Sequence, residues 1–314
     1  MRYINDGDRD LLQDELHAEW VVNKINELEK REIQQPFFMG VGFVRPHTPL
    51  HAPDKYFEMF HIEDLKLDYW EANDKNDTYW DDNFNNEEKG PRYYRTLLKS
   101  YNGDRELALK HFLQAYLACV AFVDEQVGKV MDALNNSAFK DNTIVIFTSD
   151  HGWQMGEKDY LFKNSPWEES ARIPMIIKTP NTKPDLKVEQ PVSLIDLYPT
   201  LSDLCGLKGD HKIKNTGGNL GGFSLRPLLE ENPKSWKGPN GALTIVGNYG
   251  IEIPTEKQNF SYRTKNWRYI RYGDGQEELY NHQNDTYELK NLAKNKKYKA
   301  IKNELKKEML GIIN

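Results

Sequence analysis

Apolar residues recur at near-helical spacing through residues 8–32, where Leu12, Leu16, Trp20, Ile25 and Leu28 predict one buried helix face. Pro36 ends that pattern. "FFMGVGF" follows at 37–43 as a short continuous apolar run, the mark of a buried strand. From about 54 to 103 the chain is aromatic, acidic and asparagine-rich with little periodicity, and it reads as a long, partly ordered surface excursion. Residues 104–135 give the strongest helix, with Phe112, Tyr116, Cys119, Val123, Val127, Val130 and Leu134 on one face and Asp104 as N-cap. The β-branched run "TIVIFTSD" at 143–150 predicts a buried parallel strand, and "PMIIKT" at 174–179 predicts another. "SLIDLYPTLSDLCG" at 193–206 predicts a helix closed by Gly206.

Strands alternating with helices imply an α/β fold with a parallel sheet covered on both faces. The texture then changes. "NTGGNLGGF" at 215–223 is glycine-rich, and beyond it come short alternating segments separated by turn residues, the pattern of an antiparallel meander followed by a terminal helix. The expected division is a catalytic α/β domain at 1–214, a junction at 215–222 and a C-terminal subdomain at 223–314.

Composition narrows the partners. The chain is 38% apolar and 29% charged, which suits a soluble, folded domain, and its aromatic richness argues against disorder. A net charge of -6 gives no reason to expect nucleic acid. The lysines from Lys290 to Lys307 are interleaved with asparagine and glutamate and read as a solvated terminal helix. Cys119 and Cys205 are the only cysteines, too few for a disulfide framework, and Cys119 falls on an apolar helix face as a small buried residue. No membrane span is expected, and "MRYINDGDRD" has no signal-peptide pattern.

Two segments deliver polar residues to the carboxyl ends of predicted strands, where ligands bind in doubly wound sheets. The run at 37–43 leads into "VRPHTPLHAP", carrying Arg45, His47 and His51. The run at 143–148 leads into Ser149, Asp150 and His151. If both strands are parallel members of one sheet, His47, Asp150 and His151 converge on one rim. Adjacent side chains on an extended chain point oppositely, but a turn at Gly152 brings Asp150 and His151 to one ion. A carboxylate suits Ca²⁺ or Mg²⁺, whereas imidazole is commoner with zinc. Alone, an Asp-His-Gly triplet is equally well an ordinary turn, His47 a loop histidine, and Lys163 a surface lysine. Together they suit metal-assisted chemistry on a tetrahedral anion, phosphate or sulfate.

The segments "PFFMGVGFVRPHTPLHAPDKYF", "AYLACVAFVDEQVGKVMDAL" and "TIVIFTSDHGWQMGEKDYLFKNSPWEESARIPMII" resemble the type I sulfatases, especially the iduronate-2-sulfatase-like branch. "PVSLIDLYPTL", "GFSLRPLL" and "NWRYIRYGDGQEELYNHQNDTYELKNLA" fit the same family in the same order. The resemblance implies an alkaline-phosphatase-like α/β sandwich with a smaller C-terminal antiparallel sheet. It implies that Asp150 and His151 are ligands of a Ca²⁺ ion, that Lys163 holds the sulfate and the bridging oxygen, and that His47 serves the leaving-group side. Arg45, His51 and Trp153 become candidates for contact with a sulfated saccharide.

Such sulfatases use a formylglycine made from Cys or Ser in a Cys/Ser-x-Pro-x-Arg motif, beside paired aspartates that complete the metal site. No cysteine or serine of this chain begins that motif, and Asp81 and Asp82 follow no apolar strand and read as surface acids. The expectation is therefore a sulfatase lacking its N-terminal formylglycine segment, inactive unless a separate segment supplies it. The competing readings are a phosphatase or phosphodiesterase of the same superfamily, a sugar-binding remnant using Trp70, Trp80 and Trp153, and an unstable product of a broken gene. A complete version is expected to be exported, as sulfated polysaccharides are met outside the cytoplasm.

Overall fold

The computed structural model describes residues 9–31, 35–67, 70–79, 89–208, 216, 218–247 and 254–313. Trp80, Asp81 and Asp82, and parts of the 215–222 junction, lie outside them. The chain forms two compact units, Met1–Asp68 with Arg95–Ile144, and Tyr69–Tyr94 with Val145–Asn314.

In the first unit, helix α1 spans Gln13–Glu29. Its buried face is Ala18, Val21, Ile25 and Leu28, while Leu16 and Trp20 stand 51% and 54% exposed. The expected stripe was thus rotated, because acidic residues compete for the inward face. Asp14 is buried and accepts the backbone N–H groups of Val44 and Arg45, at 2.7 and 3.0 Å. Glu15 accepts Leu12 N–H at 2.8 Å and pairs with Arg9. The short helix α2, Asp54–Phe57, carries buried Tyr56. Helix α3, Lys89–Ser100, has residues in both units and supplies regular structure within the stretch expected as a partly ordered excursion. Pro91 sits in its first turn, where a missing N–H costs nothing. Helix α4 runs from Arg105 to Asn135, with the Asp104 side chain accepting Leu107 N–H at 3.0 Å as expected of the cap. Among the described residues, α4 alone is long and apolar enough to cross a membrane by length and composition. Ala118, Cys119 and Phe122 are fully buried in it, and α1 and Tyr56 lie against it. Burial pushes the Cys119 thiol up to about 11, which keeps it protonated and unreactive.

In the second unit, strand β1 is Val145–Thr148, helix α5 is Glu168–Ala171 and strand β2 is Met175–Lys178. The two strands pair antiparallel, Val145 opposite Lys178 and Thr148 opposite Met175. This corrects the expectation of parallel strands for these two segments: β2 returns beside β1 through a loop instead of crossing over. Residues 37–43, expected as a strand, form none, since no strand among the described residues pairs with them and Phe38 is 84% exposed. Helix α6, Leu197–Leu204, ends at Gly206 with φ +61°, the left-handed closure its sequence predicted.

After helix α7, Arg226–Leu229, come strands β3 Gly241–Val246, β4 Asn259–Thr264, β5 Trp267–Arg271 and β6 Glu277–Asn281. They form one antiparallel sheet in sequence order, as the alternating pattern predicted. Its two faces are both covered. Phe260, Tyr262, Tyr269 and Leu279 pack on the terminal helix α8, Lys299–Ile313, through Leu305 and Met309. Ile270, Tyr272 and Tyr280 pack on Tyr160, Phe162 and Trp167 of the loop between β1 and β2. That second layer is what positions the candidate site.

Candidate functional site

The residues leaving β1 form a tight turn. Asp150 Oδ1 accepts the N–H of His151 at 3.0 Å, and Ser149 Oγ donates to His151 O at 3.1 Å. His151 Nδ1 lies 2.9 Å from Gly152 O. A carbonyl only accepts, so Nδ1 carries the hydrogen and the neutral ring keeps its lone pair on Nε2. That Nε2 is buried without a hydrogen-bond partner, 3.4 Å from Asp150 Oδ2. The contact is within ion-pair range but is no hydrogen bond of the neutral ring, because two acceptors face each other. A cation shared between them, or a proton on Nε2, reconciles the pair, so these donors fit a metal ion.

Backbone contacts hold this turn in place. Gly152 N–H donates to Ser170 O at 2.9 Å and Trp153 N–H to Glu169 O at 2.6 Å. A Cβ on Gly152 would stand 2.0 Å from Glu169 O, so only glycine admits this approach. Gln154 N–H donates to Phe162 O at 3.0 Å, and the Trp153 ring meets Phe162 edge-on at 5.6 Å, next to Lys163. Gly90 touches the same loop: Leu161 N–H donates to its carbonyl at 3.1 Å, and a Cβ there would enter the Tyr160 ring. The second unit thus assembles Asp150, His151 and Trp153 on one loop system that also carries the half-buried Lys163.

Arg45, His47 and His51 lie in the first unit. Arg45 braces its own loop, donating to His51 O at 2.7 Å and to His47 O at 3.3 Å. His47 Nδ1 is 2.6 Å from Thr48 O and therefore carries a hydrogen, leaving Nε2 as the nitrogen that accepts in the neutral ring and donates when protonated. The reason given for convergence with Asp150, a shared parallel sheet, is not what these segments form.

Sequence reasoning missed a second polar cluster in the second unit. Glu168, His282 and Glu288 are buried, with ligand atoms within 4.8 Å of one another. They are not a vacant metal centre, because two guanidiniums already fill the space. Arg268 donates to Glu288 Oε1 at 2.5 Å and to Glu168 Oε2, and Arg263 donates to Glu168 Oε2 at 3.0 Å and to His282 Nδ1 at 2.9 Å. His282 Nε2–H then donates to Glu288 Oε1 at 2.7 Å, closing a ring in which two carboxylates balance two guanidiniums. Burial alone would raise both carboxyls, yet the Arg268 charge holds Glu168 low and brings Glu288 down to about 2. A divalent ion added here would be uncompensated.

Residues 3–207 match the sulfatase family, and residues 156–314 match the family described as N-sulphoglucosamine sulphohydrolase, C-terminal. A sulfatase of Formosa agariphila is 33% identical over 295 residues, covering 92% of this chain and 52% of that protein. An arylsulfatase of Clostridium perfringens is 30% identical over 308 residues, covering 95% and 58%. The chain thus spans about half the length of the curated relatives it matches. The phosphonate monoester hydrolase of Agrobacterium radiobacter superposes with a TM-score of 0.72 at 24% identity, over 94% of this chain and 60% of that one. That likeness bears on fold, and it agrees with an α/β, alkaline-phosphatase-like architecture carrying a small antiparallel sheet. With one family matched from residue 3 to 207 and the other through to 314, the chain belongs to the sulfatases.

Proposed function

We propose that this chain forms part of a sulfuric ester hydrolase acting on sulfated carbohydrate. The observation that carries the reading is the Asp150–His151 turn, with Oδ2 and the buried Nε2 3.4 Å apart and the tautomer fixed by Gly152 O. A Ca²⁺ ion held there would supply positive charge to a sulfate group and to the nucleophile. Lys163 adds a cation on the sulfate and the bridging oxygen. His47 serves the leaving group; with Nδ1 committed to Thr48 O, it donates from Nε2 only as an imidazolium. Trp153 offers an aromatic edge to a sugar, and Arg45 and His51 are weaker contacts. The family description naming N-sulphoglucosamine supports a saccharide substrate, and the iduronate-2-sulfatase-like branch remains our reading within the family. We keep 1–214 as catalytic portion and 223–314 as C-terminal subdomain for function.

The 314 residues contain no Cys/Ser-x-Pro-x-Arg, so turnover by the formylglycine route needs a nucleophile, and further acidic ligands, from outside them. The test joins or co-expresses the chain with a formylglycine-bearing segment and assays an aryl sulfate and a sulfated glucosamine. Asp150→Asn and Lys163→Ala are each expected to lower kcat/KM by about 10²–10³, the range for removing a group aimed at developing charge. Turnover of aryl phosphate but no sulfate ester would move the site to phosphatase chemistry. Saccharide binding without turnover would leave a binding role.

A further inference from the structure

The buried ring of Glu168, Arg268, Glu288, His282 and Arg263 has no direct part in the proposed chemistry, yet its connections lead to the candidate metal pair. Arg268 Nη1 donates to Ser261 Oγ at 2.6 Å and to Pro166 O at 3.3 Å, and Ser261 Oγ donates to the same carbonyl at 2.6 Å. Glu168 N–H donates to Glu288 Oε2 at 2.9 Å. The ring therefore grips the backbone on both sides of Trp167, whose indole N–H is itself taken by Glu278 at 2.9 Å. This is the entry to α5, fixed by charge-assisted bonds in a dry setting, with Arg268 and Glu288 each 1% exposed. The carbonyls of the next two residues, Glu169 and Ser170, are the acceptors for Trp153 and Gly152. Gly152 O in turn orients the His151 ring. Every link from β5 to the imidazole is a hydrogen bond or one to three residues of intervening backbone.

We infer that Glu168, Arg268 and Arg263 are positioning residues, which hold the Asp150–His151 turn in register through the Glu169 and Ser170 carbonyls. The hydrogen-bond path holds the turn whatever the chemistry; its use in catalysis rests on the proposed function. An alternative role, mere stabilisation of the C-terminal sheet, predicts a different pattern of local opening.

The experiment is residue-resolved amide hydrogen exchange on the 314-residue chain and on Glu168→Gln, with Arg263→Gln as the milder change because that side chain is 22% exposed. Gly152 and Trp153 should lose about tenfold protection in Glu168→Gln and about threefold in Arg263→Gln, while Ile270 and Tyr280 keep theirs. If Glu168→Gln does not fold, Arg263→Gln alone decides. Unchanged protection at Gly152 and Trp153, or loss in step with Ile270 and Tyr280, overturns the inference. Because exchange is read without metal or substrate, a failed sulfatase assay beside the expected pattern would sink the functional reading and leave this one standing.

Discussion

At the scale of single residues, the loop that carries the candidate site also stores an unfavourable acid. Glu157 is 3% exposed and accepts Met155 N–H at 2.6 Å. Burial first, then the nearby Glu169 charge, pushes its carboxyl up to about 8, and its neighbouring Lys158 does not offset this. Lys158 is committed to Asp74 at 2.8 Å and Glu288 O at 2.6 Å, with the Trp167 and Tyr280 rings beside it. A raised folded-state pKa means stability that is complete below the unfolded value of 4.5 and is lost as pH rises towards 8. Glu157→Gln should therefore match wild type in thermal melting at pH 4 and exceed it by several degrees at pH 8.5. A melting difference independent of pH would count against a buried, protonated Glu157. Gly152→Ala, which forces a Cβ against the Glu169 carbonyl, should cost about 2–4 kcal/mol in chemical denaturation, above a typical substitution. The placement of Asp150 and His151 at the exit of β1 was legible in sequence, because adjacency at a strand exit is a local signal. The ring was not: Glu168 and Arg268 are 100 positions apart, and nothing in their spacing announces the pair.

Among elements, legibility followed where each segment finds its partner. The meander from β3 to β6, the Asp104 cap and the Gly206 closure are decided by neighbours in sequence, and all were read correctly. Helix α3 was hidden because Gly90 and Pro91 look like breakers, although one meets the Tyr160 ring and the other suits a first turn. Residues 37–43 have strand-like side chains but lack a pairing strand among the described residues, and apolar content alone does not make a ladder. Helix α8 is tied to β6 at Glu277, which takes Lys302 at 2.6 Å, Lys306 at 2.9 Å and Tyr269 OH at 2.6 Å. Burial opposes ionisation there, but the lysines and the tyrosine together bring Glu277 down to about 2. The depressed value gives stability that is present above 4.5 and lost as pH falls towards 2. Glu277→Gln should flatten the decline in melting temperature between pH 5 and pH 2.5 relative to wild type. An equally steep decline in the variant would assign acid sensitivity to other carboxylates.

For the whole molecule, large apolar side chains face solvent in both units. Phe38 and Met59 do so in the first, and Leu207, Ile195 and Ile176 in the second, with Ile176 directly opposite exposed Phe147 across the β1–β2 pair. Exposed apolar pairs on a strand are sites for partner contact or aggregation. The isolated chain should therefore enhance ANS fluorescence at neutral pH, and Ile176→Lys should reduce that signal while leaving the far-UV spectrum unchanged. No enhancement would mean these side chains are covered in solution.

The division of the chain has a consequence for how it is made. The first unit takes residues on both sides of 69–94, and the second takes those residues together with everything from 145 onward. A ribosome delivers Tyr79 long before Tyr272, the ring it stacks on, has been synthesised, so that contact forms only in the last third of translation. A cut after residue 144 would keep all of the first unit on one piece but strip 69–94 from the second, and a gene cut inside 69–144 would yield two pieces that each carry part of both.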